Sequence, residues 1–314
     1  MADTGRLFGV LVTFRRPEEL AKSLDKLLAQ TRRLDRLVVI DNGSTPASER
    51  EVDRYRNEGA DVVYIDAGEN IGPAEGYARG CLYHMEHASD DDWVLTFDDD
   101  DPPYFDDALE SAGRFAQAML EKDPLTGGVG NSGGRFDLDK AVIRRIGDAE
   151  IDGVVPVDFI AEGGLPCYRI KVLREVGVHR GDLFFSYEEI ELGMRIHDAG
   201  YRLYADGETW KHRKATKRSL GQLPPESALE ARNRTDFRIK PASWRRYYSL
   251  RNLIWLLRKY GRHRTALSVT ITRGLLKPLV NLPIAPRDAW QNLKVNCKAI
   301  VHGWKGELGW QMRP

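Results

Sequence analysis

Apolar residues recur along this chain in two alternating rhythms. LFGVLVTF (7–14) is a continuous apolar run with no helical period. PEELAKSLDKLLAQT follows it, opened by Pro17, with Leu20, Leu24, Leu27 and Leu28 on one helical face. RLVVID (36–41), DVVYID (61–66) and WVLTF (93–97) repeat the first pattern, and residues 73–88 and about 104–121 repeat the second. Continuous apolar strands alternating with helices predict an α/β domain whose mostly parallel sheet is covered on both faces. Ligands of such sheets gather at the carboxyl ends of the strands. The residues at those ends are Arg15 and Arg16, Asp41-Asn42-Gly43, Asp66 to Gly72, and Asp98 to Asp101.

Residues 124–170 are Gly-rich and irregular, with short strand-like pieces. SYEEIELGMRIHDAGYRLYAD (186–206) reads as a helix, a stop at Gly200, and a strand. Beyond 211 the pattern predicts a basic loop, KHRKATKR, and then helices over 244–260, about 266–279 and 287–303. The expected division is one domain over 1–240 and a helical extension over 241–314.

Charge sharpens this picture. The formal net charge is zero, but residues 1–210 hold 24 Lys and Arg against 42 Asp and Glu, whereas 211–314 hold 23 against 5. The first part is therefore suited to metal or polar catalysis and the tail to an anionic partner. No apolar run in the tail reaches the roughly 18 residues of a spanning helix. Cys81, Cys167 and Cys297 are far apart and lack metal-ligand spacing, so neither a disulfide framework nor a zinc site is expected. The N-terminus shows no signal-peptide pattern, and a cytoplasmic location is expected.

WVLTFDDDD (93–101) ends an apolar strand on four aspartates. Packed carboxylates repel and lose hydration, so such a site persists most easily around a cation. Carboxylate oxygens suit Mg²⁺ or Mn²⁺. An acidic turn that merely caps the next helix is the plainer alternative. Gly72 and Gly76, in ENIGPAEGYARG, serve either a close backbone approach to a nucleotide or close helix packing. Glu188, Glu189 and Glu191 begin a helix after the aromatic run Phe184, Phe185 and Tyr187. Acids there suit the helix dipole, and a shielded one suits a general base. His212 follows a strand and is a candidate metal ligand.

Together VTFRRPEEL, VVIDNGS, NIGPAEG, WVLTFDDDD, FSYEEIELGMRIHDAGYRL and WKH resemble, in order, the family 2 inverting nucleotide-sugar glycosyltransferases. Within that family the chain is similar to bacterial galactofuranosyl- and rhamnosyltransferases that build cell-surface glycans. The resemblance covers roughly residues 7–213 and implies the GT-A fold. It implies that Thr13, Arg15, Asp41, Asn70, Gly72, Asp98 and Asp99 line the nucleotide-sugar pocket, with Asp41 at the base. It implies that Asp98, Asp100 and His212 bind the metal, with the register among four aspartates open by one. It implies that Glu189 is the general base; because the pair is Glu-Glu rather than Glu-Asp, Glu188 stays open. The implied donor is UDP- or TDP-linked, and the acceptor is a glycan or a polyprenyl-diphosphate-linked glycan. Arg245, Arg246, Arg251 and Lys259, interleaved with Tyr247, Tyr248, Trp255 and Leu256, are then expected to lie on an anionic membrane at the cytoplasmic face. Two other functions compete. A sugar-1-phosphate nucleotidyltransferase would need a Gly-rich loop where VTFRRPEE stands, and a nucleic-acid binder would show a motif that is absent here.

Overall fold

A computed structural model of the chain describes residues 5–223 and 240–312. Two compact units divide it: Met1–Arg135, Arg145–Gly181 and Glu188–Trp210 form the first, and Phe136–Arg144, Asp182–Tyr187 and Lys211–Pro314 the second. The boundary expected after residue 240 lies within the second unit.

The first unit starts with β1 (Leu7–Thr13), α1 (Pro17–Leu28), β2 (Arg36–Asp41), α2 (Pro46–Asn57), β3 (Val62–Asp66), α3 (Gly72–Met85), β4 (Trp93–Asp98) and α4 (Ala108–Lys122). The irregular stretch resolves into short strands: β5 (Thr126–Gly130), β6 (Gly133–Asp137), β7 (Val142–Arg144), β8 (Val154–Val157), β9 (Phe159–Ile160) and β10 (Cys167–Arg169). α5 (Ile170–Val176), α6 (Glu188–Asp198) and β11 (Arg202–Asp206) follow. The main sheet runs β3-β2-β1-β4-β10-β5-β11-β8. Its first four strands are parallel, whereas β10 runs antiparallel to both β4 and β5. Because β2 and β4 flank β1, the strand order reverses there, and the carboxyl ends of β1 and β4 are the place where open sheets of this kind bind ligands.

The apolar runs are buried on both faces, as their lack of polar alternation requires. Phe8, Val10, Val12, Val38, Ile40 and Val94 point into a core shared with α3, α5 and α6. Leu7, Leu11, Leu37, Val39, Trp93 and Leu95 point into a second core under α1, α2 and α4. The faces of α1 and β1 were legible, and Leu20, Leu24 and Leu27 are all buried. α4 begins four residues later than expected. α3 lies close on β1: a Cβ on Gly76 would stand 2.9 Å from Val12 Cγ2, and one on Gly80 2.2 Å from Val10 Cγ1. Gly76 therefore serves helix packing, the plainer of its two readings.

The segment KHRKATKR is helical rather than a loop, within α7 (Gly207–Ser219). Asp206 caps that helix: its Oδ1 accepts from the Glu208 and Thr209 amides at 3.1 and 3.3 Å, and its Oδ2 from the Thr209 hydroxyl at 2.7 Å. A good cap and no internal Gly or Pro outweigh a run of like charges.

The second unit contains α8 (Trp244–Lys259), α9 (His263–Val269), a π turn (Thr270–Leu276), α10 (Lys277–Asn281) and α11 (Pro286–Lys305). The helix expected over 266–279 is thus interrupted. In α8 the membrane-facing expectation is corrected: Tyr247, Tyr248, Arg251 and Leu256 are each 0% exposed. Arg251 is buried because its guanidinium is satisfied there. It donates to the carbonyls of Leu183 (2.8 Å) and Gly309 (2.7 Å) and to Asn252 Oδ1 (2.8 Å). It also lies over the rings of Tyr247 and Tyr248. Arg246 turns inward to Asn296 Oδ1 at 2.9 Å. Arg245 and Lys259 stay exposed.

Candidate active site

The parallel register brings four strand ends level. Thr13 pairs with Asp41, Asp41 with Asp66, and Val12 with Asp98. The polar residues expected at one edge of the sheet therefore meet there.

Their roles differ. Asp41 is fully buried. Its oxygens accept from the Gly43 amide (2.7 Å), the Thr45 amide (3.0 Å) and hydroxyl (3.2 Å), and the Tyr64 hydroxyl (2.9 Å). It holds the turn after β2 in shape. Asn42 Nδ2 donates to the Gly72 carbonyl at 3.1 Å, and Asn70 Oδ1 accepts from the Gly72 amide at 3.0 Å. Gly72 has φ +78°, which favours glycine. Asn42, Asn70 and Gly72 thus join the turns after β2 and β3. Arg15, also at positive φ (54°), is exposed beside Phe14.

The four aspartates separate by direction. Asp99 is turned inward: its Oδ2 accepts from the Thr13 hydroxyl at 2.7 Å and its Oδ1 lies 3.4 Å from Arg16 Nη1. Its backbone carbonyl accepts from Ser23 Oγ at 2.7 Å. Thr13 and Asp99 therefore lock β1 to the end of β4. Asp100 takes Arg16 Nη1 at 2.7 Å, and its side chain is 55% exposed. Arg16, not Arg15, is the cation among these aspartates. Asp98 accepts from the Tyr77 hydroxyl at 2.5 Å. Burial lifts the Asp98 carboxyl to about 6; the Tyr77 bond opposes that rise, and the charges of Asp100 and Asp99 add to it.

A second acidic group stands in the same unit. Carboxylate oxygens of Glu162, Glu188 and Glu189 all lie within 4.8 Å of one another. Glu188 is 2% exposed, and its Oε2 is buried with no hydrogen-bond partner. Burial, then the charge of Glu189, raises it to about 8. Burial, and beyond it the charge of Asp98, raises Glu189 to about 7. Glu162 is the exposed member of the three, and hydration lost among its neighbours, then the charge of Glu188, with which it shares a hydrogen bond, raise it. Asp98 acts electrostatically on all three glutamates, so the two acidic groups form one field.

Sequence reasoning missed Glu162. It sits in a tight turn between β9 and β10, where the Gly164 amide donates to the Ala161 carbonyl at 2.9 Å and Gly163 takes φ +64°. The available signal was an acid beside two glycines in FIAEGGLP, between apolar strands. Glu188 and Glu189 open α6 as expected. The residues before them, Phe184, Ser186 and Tyr187, all take left-handed φ of 66–72°. Within the second unit, Asn252 Nδ2 points at the carbonyls of Leu183, Phe185 and Ser186. His212 lies in α7, in the part assigned to the second unit.

The carboxylates in the first unit offer only oxygen donors, and one buried oxygen among them, Glu188 Oε2, has no hydrogen-bond partner. These residues fit a hard divalent ion.

Residues 10–120 match the family model for glycosyl transferase family 2. Galactofuranosyltransferase GlfT1 of Mycobacterium tuberculosis is 31% identical over 211 residues, covering 63% of this chain and 66% of the relative. GlfT1 of Mycolicibacterium smegmatis is 28% identical over 212 residues, covering 64% and 68%. The chain thus spans slightly less than two thirds of the first relative. Among solved structures, GalNAc-T7 with UDP, GalNAc and Mn²⁺ aligns at TM-score 0.50 and 15% identity, over 66% of this chain and 43% of that one. Staphylococcus aureus TarS aligns at TM-score 0.51 and 15% identity, over 95% and 55%. At that identity these two speak for the fold alone, and it is the GT-A fold. The match over β1 to α4 falls on the parallel half of the sheet and its acidic strand ends, so residues 10–120 carry the glycosyl transferase family 2 pattern and the chain resembles that family's galactofuranosyltransferases.

Proposed function

We propose that this protein is a metal-dependent, inverting glycosyltransferase. It moves galactofuranose or rhamnose from a UDP- or TDP-linked donor to a hydroxyl of a glycan or polyprenyl-diphosphate-linked acceptor, at the cytoplasmic face of the membrane. The observation that carries the reading is the single acidic field of Asp98, Glu162, Glu188 and Glu189 in the first unit. The family match favours this reading over the nucleotidyltransferase alternative.

Asp98 and Asp100 would hold Mn²⁺ or Mg²⁺, whose charge would neutralise the nucleoside diphosphate as it leaves, and the part of His212, in the second unit, rests on the family resemblance alone. Thr13 and Asp99 fix the strand ends beneath them. The turns at Asp41, Asn70 and Gly72, with Arg15 beside them, supply the walls for base and ribose. Glu189 is the better base of its pair. It is half-buried, whereas Glu188 is almost fully enclosed and bonded to Glu162. A raised carboxyl near 7 is also matched to taking a proton at neutral pH. The acceptor oxygen gives that proton to Glu189 and bonds to the anomeric carbon as the diphosphate leaves from the opposite face. One displacement inverts the anomeric centre, as in single-step glycosidases.

The test is a panel of UDP- and TDP-sugars with Mn²⁺ or Mg²⁺, scored by nucleoside diphosphate release. Glu189→Gln should keep donor binding while transfer falls roughly 10²–10⁴-fold. Unimpaired transfer by that variant reassigns the base, and no release from any donor sinks the reading.

A further inference from the structure

The second unit carries an apolar surface that the transfer chemistry does not use. Among the described residues fourteen large hydrophobic side chains are exposed, and seven of them fall between positions 267 and 290. Val280 is 67%, Ile284 72% and Trp290 52% exposed. Leu267 and Ile271 are four apart, as are Leu276 and Val280, a spacing that puts neighbours on one helical face, and Ile284 follows in the turn after α10. The step from Ile271 to Leu276 is five residues, but it crosses the π turn Thr270–Leu276. Such a turn bonds i to i+5, so it absorbs the extra residue and keeps the stripe on one side. Thr270 and Thr272 promote it by donating their hydroxyls to the Ala266 and Ser268 carbonyls at 2.9 and 2.7 Å.

The same stretch is strongly basic. Residues 262–301 hold seven Lys and Arg against one acid, Asp288. We propose that this face, rather than α8, docks the protein on an anionic lipid surface. The Leu267–Trp290 stripe enters the headgroup boundary while Arg264, Lys277, Arg287 and Lys294 meet lipid phosphates. A second copy of the chain is the poorer occupant. A two-fold contact sets the same patch against itself, and this one would bring a cationic rim against a cationic rim. The proposal deepens the lipid-linked-acceptor reading and rests on it for its purpose, but the binding is measured without donor or acceptor.

The experiment is co-sedimentation of the full chain with vesicles of phosphatidylcholine, with and without phosphatidylglycerol, at low and high salt. The parent is expected to bind the anionic vesicles and to lose binding as salt rises. Val280→Glu/Ile284→Glu changes two exposed positions, so it should keep the fold and donor hydrolysis while vesicle binding falls at least roughly tenfold. Ile284→Ser, a milder change, should weaken binding in the same direction and guards against a misfolded double variant. Lys277→Glu/Arg287→Glu should lose the preference for anionic lipid. Unchanged binding by folded apolar variants, or a parent that binds neither vesicle, overturns the proposal. So does a dimer that the double variant splits while vesicle binding persists. Intact vesicle binding with no diphosphate release from any donor would instead count against the transferase reading alone.

Discussion

Replacing Asn252 by Ala tests how firmly the second unit holds the loop that leads into Glu188. Asn252 is fully buried. Its Nδ2 lies 3.0, 2.9 and 2.8 Å from the carbonyls of Leu183, Phe185 and Ser186, and its Oδ1 accepts from Arg251 Nε at 2.8 Å. Alanine removes all four contacts. The Leu183 carbonyl keeps Arg251 Nη2 at 2.8 Å. The part-buried carbonyls of Phe185 and Ser186 and the buried Nε–H of Arg251 each lose this partner, and such an orphan costs about 1–2 kcal/mol. Three of them make about 3–6 kcal/mol, a large part of the roughly 5–15 kcal/mol that holds a domain folded. At about 2–4 °C per kcal/mol, the melting temperature should fall by roughly 6–24 °C. Left-handed φ at Phe184, Ser186 and Tyr187 costs about 1–2 kcal/mol each, so the loop relaxes once that amide is gone. Glu188 is the next residue, and kcat should therefore fall by roughly tenfold, about 1.4 kcal/mol, with the donor KM little changed. Ser249→Ala is the control. It loses only the 3.2 Å contact to Ser186 Oγ and should cost less than about 1 kcal/mol. Differential scanning fluorimetry and steady-state diphosphate release read both quantities. An Asn252→Ala protein that melts with the parent and turns over at its rate would refute the reasoning.

Two further predictions concern pH. Glu188 is raised to about 8 in the fold, so the folded protein binds its proton more tightly than the unfolded chain does, and stability is lost as pH rises from about 4.5 toward 8. Glu188→Gln should therefore stabilise the metal-free protein by roughly 2–4 kcal/mol at pH 8 and by little at pH 4.5; denaturant midpoints that do not diverge with pH would reject this. His84, whose Nε2 lies 2.8 Å from the Gly9 carbonyl, is lowered to about 4, chiefly by burial, and His179 to about 3 for the same reason. Their neutral forms are built in, so the stability they support is complete above about 6.5 and is lost as pH falls toward 4, by roughly 3 kcal/mol for His84 alone. His84→Gln should flatten that acid limb in a pH series of melts.

The sequence by itself determined the scaffold. Runs such as LFGVLVTF and RLVVID carry no polar alternation, so they had to be strands buried on two faces, and the strand-helix order then required a parallel sheet. It also placed the acids: Asp98 at a strand end and Glu188 and Glu189 at a helix start, because strand ends and helix starts are local events that composition announces. Tertiary structure decided which acid does what. Nothing local separates Asp98, Asp99, Asp100 and Asp101; Thr13 turns Asp99 inward, Arg16 pairs with Asp100, and Tyr77 holds Asp98, and all three partners come from distant chain. Glu162 was illegible because its turn has no period and acquires meaning only beside Glu188. The basic tail shows the same limit. Interleaved Arg, Tyr and Leu in α8 look like an interfacial helix until Leu183, Asn252 and Gly309 supply acceptors for Arg251. A buried charge is tolerated only where distant chain brings it partners, and no window of sequence contains that information.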